Sequence, residues 1–461
     1  MLKSMSIRGL RGFATEQAID FAIPNGTLGS GLTVIVGANN AGKSTIIEAL
    51  RALAQRRSQS PSFTQGRRNQ AAGDEVRITV TDTSDITSAL RSVRAGSSET
   101  EFDDSEPQAN LSKLLILPAR RVFEPHFGKA SASREQYMAQ MGFPAIRTAS
   151  LDQFTNRLFS IEKNREQFDE VLKEVVDPVP DWSIDQMDNG QYFLKLRKGD
   201  ITHSSEGLGE GLVSLFYIID ALYDSRDGDT IAVDEPELSL HPALQRKLAN
   251  LLNEYAKTRQ IVVSTHSTYF VGFDALPNGA TVARVHLRDD QSMVSQLSSA
   301  TARQIFGLMQ NSNNPHILGL VAKEIFFVED RVILVEGQED VVFLKRATED
   351  LGVLEGTFFG WGVGGADNME RIARVLHELG YQKVVGVLDG NRADLLERLC
   401  GEFPKFHFFS IPADDIRTKP ATPARSEVIG LLDEYNQAVR PRFLDEARAL
   451  IHSANEYLRG T

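Results

Sequence analysis

The chain holds one cysteine, Cys400, in 461 residues. A single thiol excludes an intramolecular disulfide and any zinc site built from several cysteines, and it suits a reducing cytoplasm, where the protein is expected. Long apolar runs are missing too: no stretch approaches the roughly 20 residues that a membrane-spanning helix needs, so no membrane partner is expected. The N-terminal MLKSMSIRGLRGF alternates and carries arginine, which leaves it without the apolar core of a signal peptide. There is no low-complexity tract either, and 41% hydrophobic with 24% charged residues is the composition of an ordinary globular protein. The net charge of −12 offers no overall positive excess for nucleic acid. A local stripe would suffice, however, and Arg51, Arg56, Arg57, Arg67 and Arg68, with Arg120 and Arg121 further on, read either as such a stripe or as a solvated helix end and loop.

The length predicts two or three domains. Within the first, LTVIVGANNAGKSTIIEALRALA reads as an apolar strand, a glycine-containing loop and an amphipathic helix. Gly37, Ala38, Asn39, Asn40, Ala41, Gly42, Lys43 and Ser44 fit GxxxxGK[ST] without a mismatch, and Thr45 continues the helix. Gly37 and Gly42 let the backbone turn so that successive N–H groups face phosphate oxygens. The helix beginning near Lys43 adds the positive end of its dipole. Lys43 would neutralise the β- and γ-phosphates of ATP, and Ser44 would place a hydroxyl on magnesium.

The matching half of such a site is a strand ending in carboxylates, and TIAVDEPELSLHP supplies one. Ile231, Ala232 and Val233 make a short buried strand, with Asp234 at its end for magnesium and Glu235 as the general base for attacking water. The following Ser239-Leu240-His241-Pro242 resembles the loop after the acidic strand in ABC ATPases. Downstream, IVVSTHS is a further apolar strand ending at His266, the place where that family positions a histidine on the γ-phosphate. Upstream, Ser205-Glu206-Gly207-Leu208-Gly209 resembles a diverged ABC signature, so Ser205, Gly207 and Gly209 are candidate ATP contacts across a head-to-tail dimer. An ordinary helix cap is the other reading of that segment. No glutamine loop can be placed. The interval before the signature is too short for long coiled-coil arms, and a compact helical insertion over about 125–195, dimerising or not, is expected instead.

After a polar break at Asn311–Pro315 the pattern changes to alternating strands and helices: VILVEG, EDVVFLKRATEDLG, TFFGWGV, NMERIARVLHELG, KVVGVLDGN, RADLLERLCGEF and FHFFSIP. This predicts a small parallel α/β domain over 316–461, behind an ATPase domain over 1–315. Acidic residues stand at the strand ends: Glu336, Asp389, and Asp414 with Asp415, while Asp340 falls on a helix's first turn. Carboxylates gathered from separate strands are what a magnesium-dependent phosphodiester site needs; the plain alternative for any one of them is a helix cap.

VEGxxD followed by an LDxD-like strand resembles the Toprim pattern of primases, topoisomerases and nucleases. An ABC-type head followed by such a domain resembles the OLD (overcoming lysogenisation defect) family over nearly the whole chain. The fold class implied is α/β throughout: an ABC-type P-loop ATPase head with a helical insertion, then a small Toprim-like parallel domain. The resemblance implies DNA as substrate, a role in defence against phage, and magnesium or manganese at Glu336 and Asp389. Asp340 and Asp414 or Asp415 would assist, and Lys419 would stabilise transition-state charge. It also implies a homodimer or larger oligomer through the heads, and an accessory helicase-like or effector partner. The second acid of the family's DxD is Asn391 here, an oxygen ligand without charge. That departure, with the acidic C-terminal domain, leaves open an ATP-dependent sensor or scaffold that holds or releases a partner. A RecF-like repair ATPase fits the head but not the second domain.

Overall fold

In the computed structural model the described residues are 1–54, 61–103, 109, 111, 113–121, 126–140, 154–198, 201–204, 210–309, 330–419, 421 and 426–460. They form two compact units, Met1–Gln296 and Leu297–Thr461. The boundary read from the sequence, 315/316, lies outside the described residues.

The first unit is built on a six-stranded sheet in the order Gln291–Gln296, Thr281–Arg288, Leu32–Val36, Gln260–Ser264, Thr230–Asp234, Leu114–Leu117. Only the outermost strand, Gln291–Gln296, is antiparallel to its neighbour. The four strands LTVIV, QIVVS, TIAVD and LLIL are buried at every position. A parallel strand covered on both faces has no solvent side, and so reads as an unbroken apolar run. Beside it lies an antiparallel sheet, Gln17–Asp20, Leu2–Arg8, Arg77–Asp82, Thr87–Ser92, Thr100–Asp103. Its strand RITVTD alternates exposed and buried residues, as a one-sided strand should. Helix Lys43–Ala54 lies in the core that both sheets share, where Ile46 and Leu50 pack with Met5, Ile78, Ile35 and Val262. Burying side chains of this size stabilises by about 1.5–3 kcal/mol each, so the helix that starts at the phosphate loop is rigidly held.

The segment expected to be helical over about 125–195 is helical only as far as Lys173, in Arg134–Gln140, Phe154–Lys163 and Arg165–Lys173. It continues as an antiparallel sheet, Asp181–Gln186, Tyr192–Lys198 and Ile201–Ser204. The correction has a local cause. The residues from Trp182 alternate with period two, and Gly190 at φ +85° closes the turn between the first two strands. Aromatic rings fasten this part to helix Glu210–Tyr223: Phe154 stacks on Tyr217 at 3.7 Å, and Phe168 and Trp182 meet Phe216 at 5.1 and 5.4 Å.

The second unit carries a four-stranded sheet, all parallel, ordered Thr357–Phe358, Val332–Leu334, Val384–Leu388, His407–Ser410. Helices Gln338–Arg346, Ala366–Glu378 and Ala393–Glu402 alternate with the strands, and Pro441–Arg459 closes the chain's described part. The strand and helix alternation agrees with the sequence reading. Parallel order brings the carboxyl ends of neighbouring strands together, the place where such sheets bind ligands. No helix among the described residues is long and apolar enough to cross a membrane.

Candidate functional site

Three adjacent parallel strands bring the first site together. Leu32–Val36 runs into the phosphate loop, Gln260–Ser264 precedes His266, and Thr230–Asp234 ends on the acid pair. The loop turns at Gly37 (φ +145°), Asn40 (φ +62°) and Gly42 (φ +118°). A side chain at Gly37 would place Cβ 2.0 Å from the carbonyl oxygen of Val285, so only glycine fits there. Asn39 and Asn40 are exposed, while Ala41 and Thr45 are buried, the latter with its N–H on the Gly42 carbonyl. Lys43 is buried and curls back over the loop, donating from Nζ to the carbonyls of Gly37 (2.9 Å) and Ala38 (3.0 Å).

Ser44 Oγ donates to Asp234 Oδ1 at 3.2 Å, and Ser264 Oγ makes a second hydrogen bond to the same oxygen. A hydroxyl and a carboxylate oxygen this close are the hard donors that magnesium takes, so the residues fit that cation. Glu235 adopts φ +49°, an αL conformation uncommon for a non-glycine residue, and is fixed by its N–H on Ser264 O at 2.8 Å. His266 Nε2 lies 4.0 Å from Glu235 Oε1. Burial, and then the nearby Lys43 charge, hold this imidazole below its ordinary pKa, which keeps it neutral at physiological pH. Glu237 accepts from the His266 N–H at 2.5 Å, and burial pushes its carboxyl up.

Sequence reasoning missed a further member. Arg121, read either as part of a basic stripe or as a solvated loop residue, is buried and faces the acid pair from within. It donates to the carbonyls of Asp234 (2.7 Å), Glu235 (2.8 Å) and Pro118 (2.7 Å), and to Ser214 Oγ on helix Glu210–Tyr223 (2.7 Å). Burial pushes its guanidinium down to about 10, against the pull of Asp234, Glu237 and Glu235. The stripe dissolves elsewhere as well: Arg67 pairs with Glu48 at 3.0 Å and Arg68 with Asp74 at 3.0 Å. Arg56 and Arg57 lie outside the described residues. A lysine cannot reproduce the planar fork of an arginine. Arg121→Lys is therefore expected to lower the ATPase kcat about 10–100-fold with KM unchanged, because the acid turn shifts while the phosphate loop does not. An unaltered kcat would show that the fork does not position the turn.

The signature candidates Ser205, Gly207 and Gly209 lie outside the described residues. Just beyond them, the helix beginning at Glu210 is tied to the loop after the acid pair. Ser239 Oγ donates to Glu210 Oε2 at 3.0 Å, and a Cβ at Gly211 would stand 2.3 Å from Ser239 O.

In the second unit, Glu336 follows strand Val332–Leu334 and Asp389 follows Val384–Leu388, on adjacent parallel strands. The Asp389 N–H donates to Glu336 Oε1 at 3.3 Å. Asp340 accepts from the Gly337 N–H at 2.8 Å, so it does cap its helix. Burial pushes its carboxyl up to about 6, with Glu336 and Asp415 adding to the rise. Burial pushes Asp389 up to about 8, reinforced by Glu336, Asp340 and Asp415 and opposed by Lys419. Lys419 pairs with Asp415. Asp415 thus joins the acidic group, whereas Asp414 is exposed and its carbonyl accepts from Asn391 Nδ2 at 2.9 Å. Among the described residues, no three His, Cys, Asp or Glu side chains are placed to hold a metal ion together. Glu336, Asp340, Asp389, Asn391 and Asp414 are therefore not a preformed ligand set. The donor chemistry does fit a hard divalent cation: Glu336, Asp340 and Asp415 supply carboxylate oxygens close enough to Asp389 to add to the rise that burial produces.

Comparisons with known proteins point to an ATPase. Residues 1–117 match the family described as "AAA ATPase domain", and residues 86–272 the family "AAA domain, putative AbiEii toxin, Type IV TA system". The chain is an AAA/ABC-type ATPase. It is 25% identical over 418 residues to the OLD nuclease of Thermus scotoductus, covering 77% of this chain and 75% of that protein. The OLD resemblance read from the sequence thus holds at the level of similarity to an OLD nuclease joined with matches to ATPase domains. Solved SMC heads are also similar in part. One, bound to the C-winged helix domain of ScpA, is 18% identical with a TM-score of 0.43 over 66% of this chain and 99% of that one. The SMC head domain from Thermotoga maritima is 16% identical at 0.37 over 64% and 99%. At those scores the fold rests on the strand order described above.

Proposed function

We propose that this ATPase governs a metal-dependent DNA endonuclease site in its second unit, and that the pair serves defence against phage. The observation that carries the reading is the acidic group at the carboxyl ends of two adjacent parallel strands, where Asp389 donates its N–H to Glu336 and where burial, reinforced by Glu336, Asp340 and Asp415, raises the Asp389 carboxyl to about 8. Its similarity to an OLD nuclease supports the same reading.

In the head, Lys43 and the phosphate-loop N–H groups bind the ATP phosphates, Ser44 and Asp234 hold the magnesium, and Glu235 accepts the proton of the attacking water. His266, neutral and beside Glu235, reaches the γ-phosphate. ATP closes a head-to-tail homodimer through the segment at Ser205–Gly209. In the second unit, Glu336 and Asp389 hold Mg²⁺ or Mn²⁺, with Asp340 and Asp415 as further acidic neighbours and Asn391 as an uncharged oxygen. The cation, once bound, supplies Lewis acidity and the missing counter-charge. Lys419 and Arg392, the latter 3.8 Å from Glu336, face the charge of a phosphodiester. ATP state decides whether DNA is cut or a helicase-like or effector partner released.

Incubation with supercoiled plasmid and Mg²⁺ or Mn²⁺, with and without ATP, tests the proposal. Glu336→Ala is expected to reduce nicking by at least the 10–100-fold that even outer-shell changes cost at a metal site. Cleavage by Glu336→Ala at the wild-type rate, or no cleavage by the wild type with either metal, would sink the nuclease reading. A second reading is favoured by one observation: among the described residues no group of three His, Cys, Asp or Glu side chains is placed to hold a metal ion. On that reading the unit is a regulatory sensor, and ATP-dependent partner release persists when Glu336 is replaced.

A further inference from the structure

The chain has two tryptophans, and they are placed in opposite ways. Trp182 is wholly buried among aromatic rings, while Trp361 is 45% exposed. A lone exposed apolar residue is common on protein surfaces, and exposure alone says little. What distinguishes Trp361 is the backbone that carries it. It stands at the apex of a turn closed by the Gly362 N–H on Phe359 O at 3.0 Å. Both flanks are pinned to strand Val332–Leu334 and the residues that follow it to Glu336: Phe359 N donates to Ile333 O (2.8 Å), Val363 N to Val335 O (2.9 Å), and Gly365 N to Glu336 O (2.8 Å).

The glycines make this close approach possible. Gly360 (φ +52°), Gly362 (φ +93°), Gly364 (φ +74°) and Gly365 (φ +113°) all lie in the left-handed region. A Cβ at Gly362 would stand 2.6 Å from the Gly337 Cα, so the turn lies directly on the residue after Glu336. The sequence thus fixes a large flat ring, partly open to solvent, on a rigid mount beside the acidic group. Its π-face suits a nucleobase, and stacking of that kind requires a base that is not already stacked inside a duplex.

We infer that Trp361 is a stacking platform for an unpaired nucleobase next to the phosphodiester brought to the cation site of Glu336 and Asp389, so that the DNA taken by this site is single-stranded or locally opened. The inference rests on the nuclease reading for its location, and Arg392 beside Glu336 supplies a cation for the same strand's backbone.

Because Trp182 is buried, the intrinsic tryptophan fluorescence that a ligand can change belongs to Trp361. The full-length protein would be titrated with a 20-nucleotide single strand and with the matching duplex, in Ca²⁺ at low salt, reading tryptophan fluorescence and the anisotropy of a label on the DNA. The single strand should quench the wild type saturably, and the duplex much less. Trp361→Phe should abolish the quench while changing the anisotropy affinity only a few-fold, since a phenyl ring still stacks. Trp361→Ala should weaken single-strand binding about 5- to 150-fold, with thermal melting unchanged. Equal affinity of Trp361→Ala and wild type, or equal quenching by duplex and single strand, would overturn the inference. Plasmid cleavage separates it from the reading beneath it. Quenching without any cleavage would remove the nuclease and keep the platform; cleavage without quenching would do the reverse.

Discussion

Glu235→Gln is expected to slow ATP hydrolysis by about 10²–10⁴-fold while ATP continues to bind. The amide keeps the length and shape of the side chain, so the αL backbone at φ +49° and the N–H bond to Ser264 remain. Lys43, Ser44 and Asp234 are untouched, and they carry the phosphate and magnesium contacts. What is lost is the one carboxylate in the turn that is free to take a proton. Asp234 is committed to Ser44 and Ser264, and Glu237 to the N–H of His266. His266, neutral and 4.0 Å away, is the nearest substitute base, and His266→Ala combined with Glu235→Gln measures what it contributes. Single-turnover hydrolysis and equilibrium binding of a fluorescent nucleotide separate the two properties. A Glu235→Gln protein with wild-type turnover would place the base elsewhere, and Glu237 would be the next group to replace.

The parts of this site that the sequence announces are those whose chemistry is local. GANNAGKST states its own geometry, because turn, dipole and ligands lie within nine residues. The buried strands ending at Val36, Asp234 and Ser264 were legible as apolar runs for the reason that parallel sheets are covered on both faces. Arg121 was illegible because the two carbonyls it braces at the acid turn lie more than a hundred residues further on, and a carbonyl has no letter. Arg67 misled in the same way: its partner Glu48 comes from the phosphate-loop helix, a tertiary pairing that charge counting cannot see. In the second unit the strand–helix alternation was plain. The choice between Asp414 and Asp415 was not, since it depends on which of two neighbours a turn sends inward.

Arg157→Met is expected to cost about 3–5 kcal/mol of stability, a fall in Tm of about 6–20 °C for a unit of this size. Arg157 and Asp220 are both almost wholly buried, and the guanidinium gives Asp220 bonds of 2.6 and 3.1 Å and Asp224 one of 2.7 Å. Burial alone would push the guanidinium down, but Asp220 and Asp224 outweigh it and hold it above its ordinary value, so it stays charged. Removing it strands a buried carboxylate, and that penalty exceeds the net contribution of the intact pair. Arg157→Met with Asp220→Leu should therefore recover most of the loss, since neither charge then needs solvation. The consequence reaches the chemistry, because Asp220 and Ser214 share the helix Glu210–Tyr223, and Ser214 accepts the bond from Arg121 that braces the acid turn. The single variant, assayed at a temperature where it is folded, should then lose ATP turnover as well as stability, and the double variant should regain both. Recovery of Tm without turnover would mean that the charge pair, and not only the packing of that helix, sets the position of the acid turn.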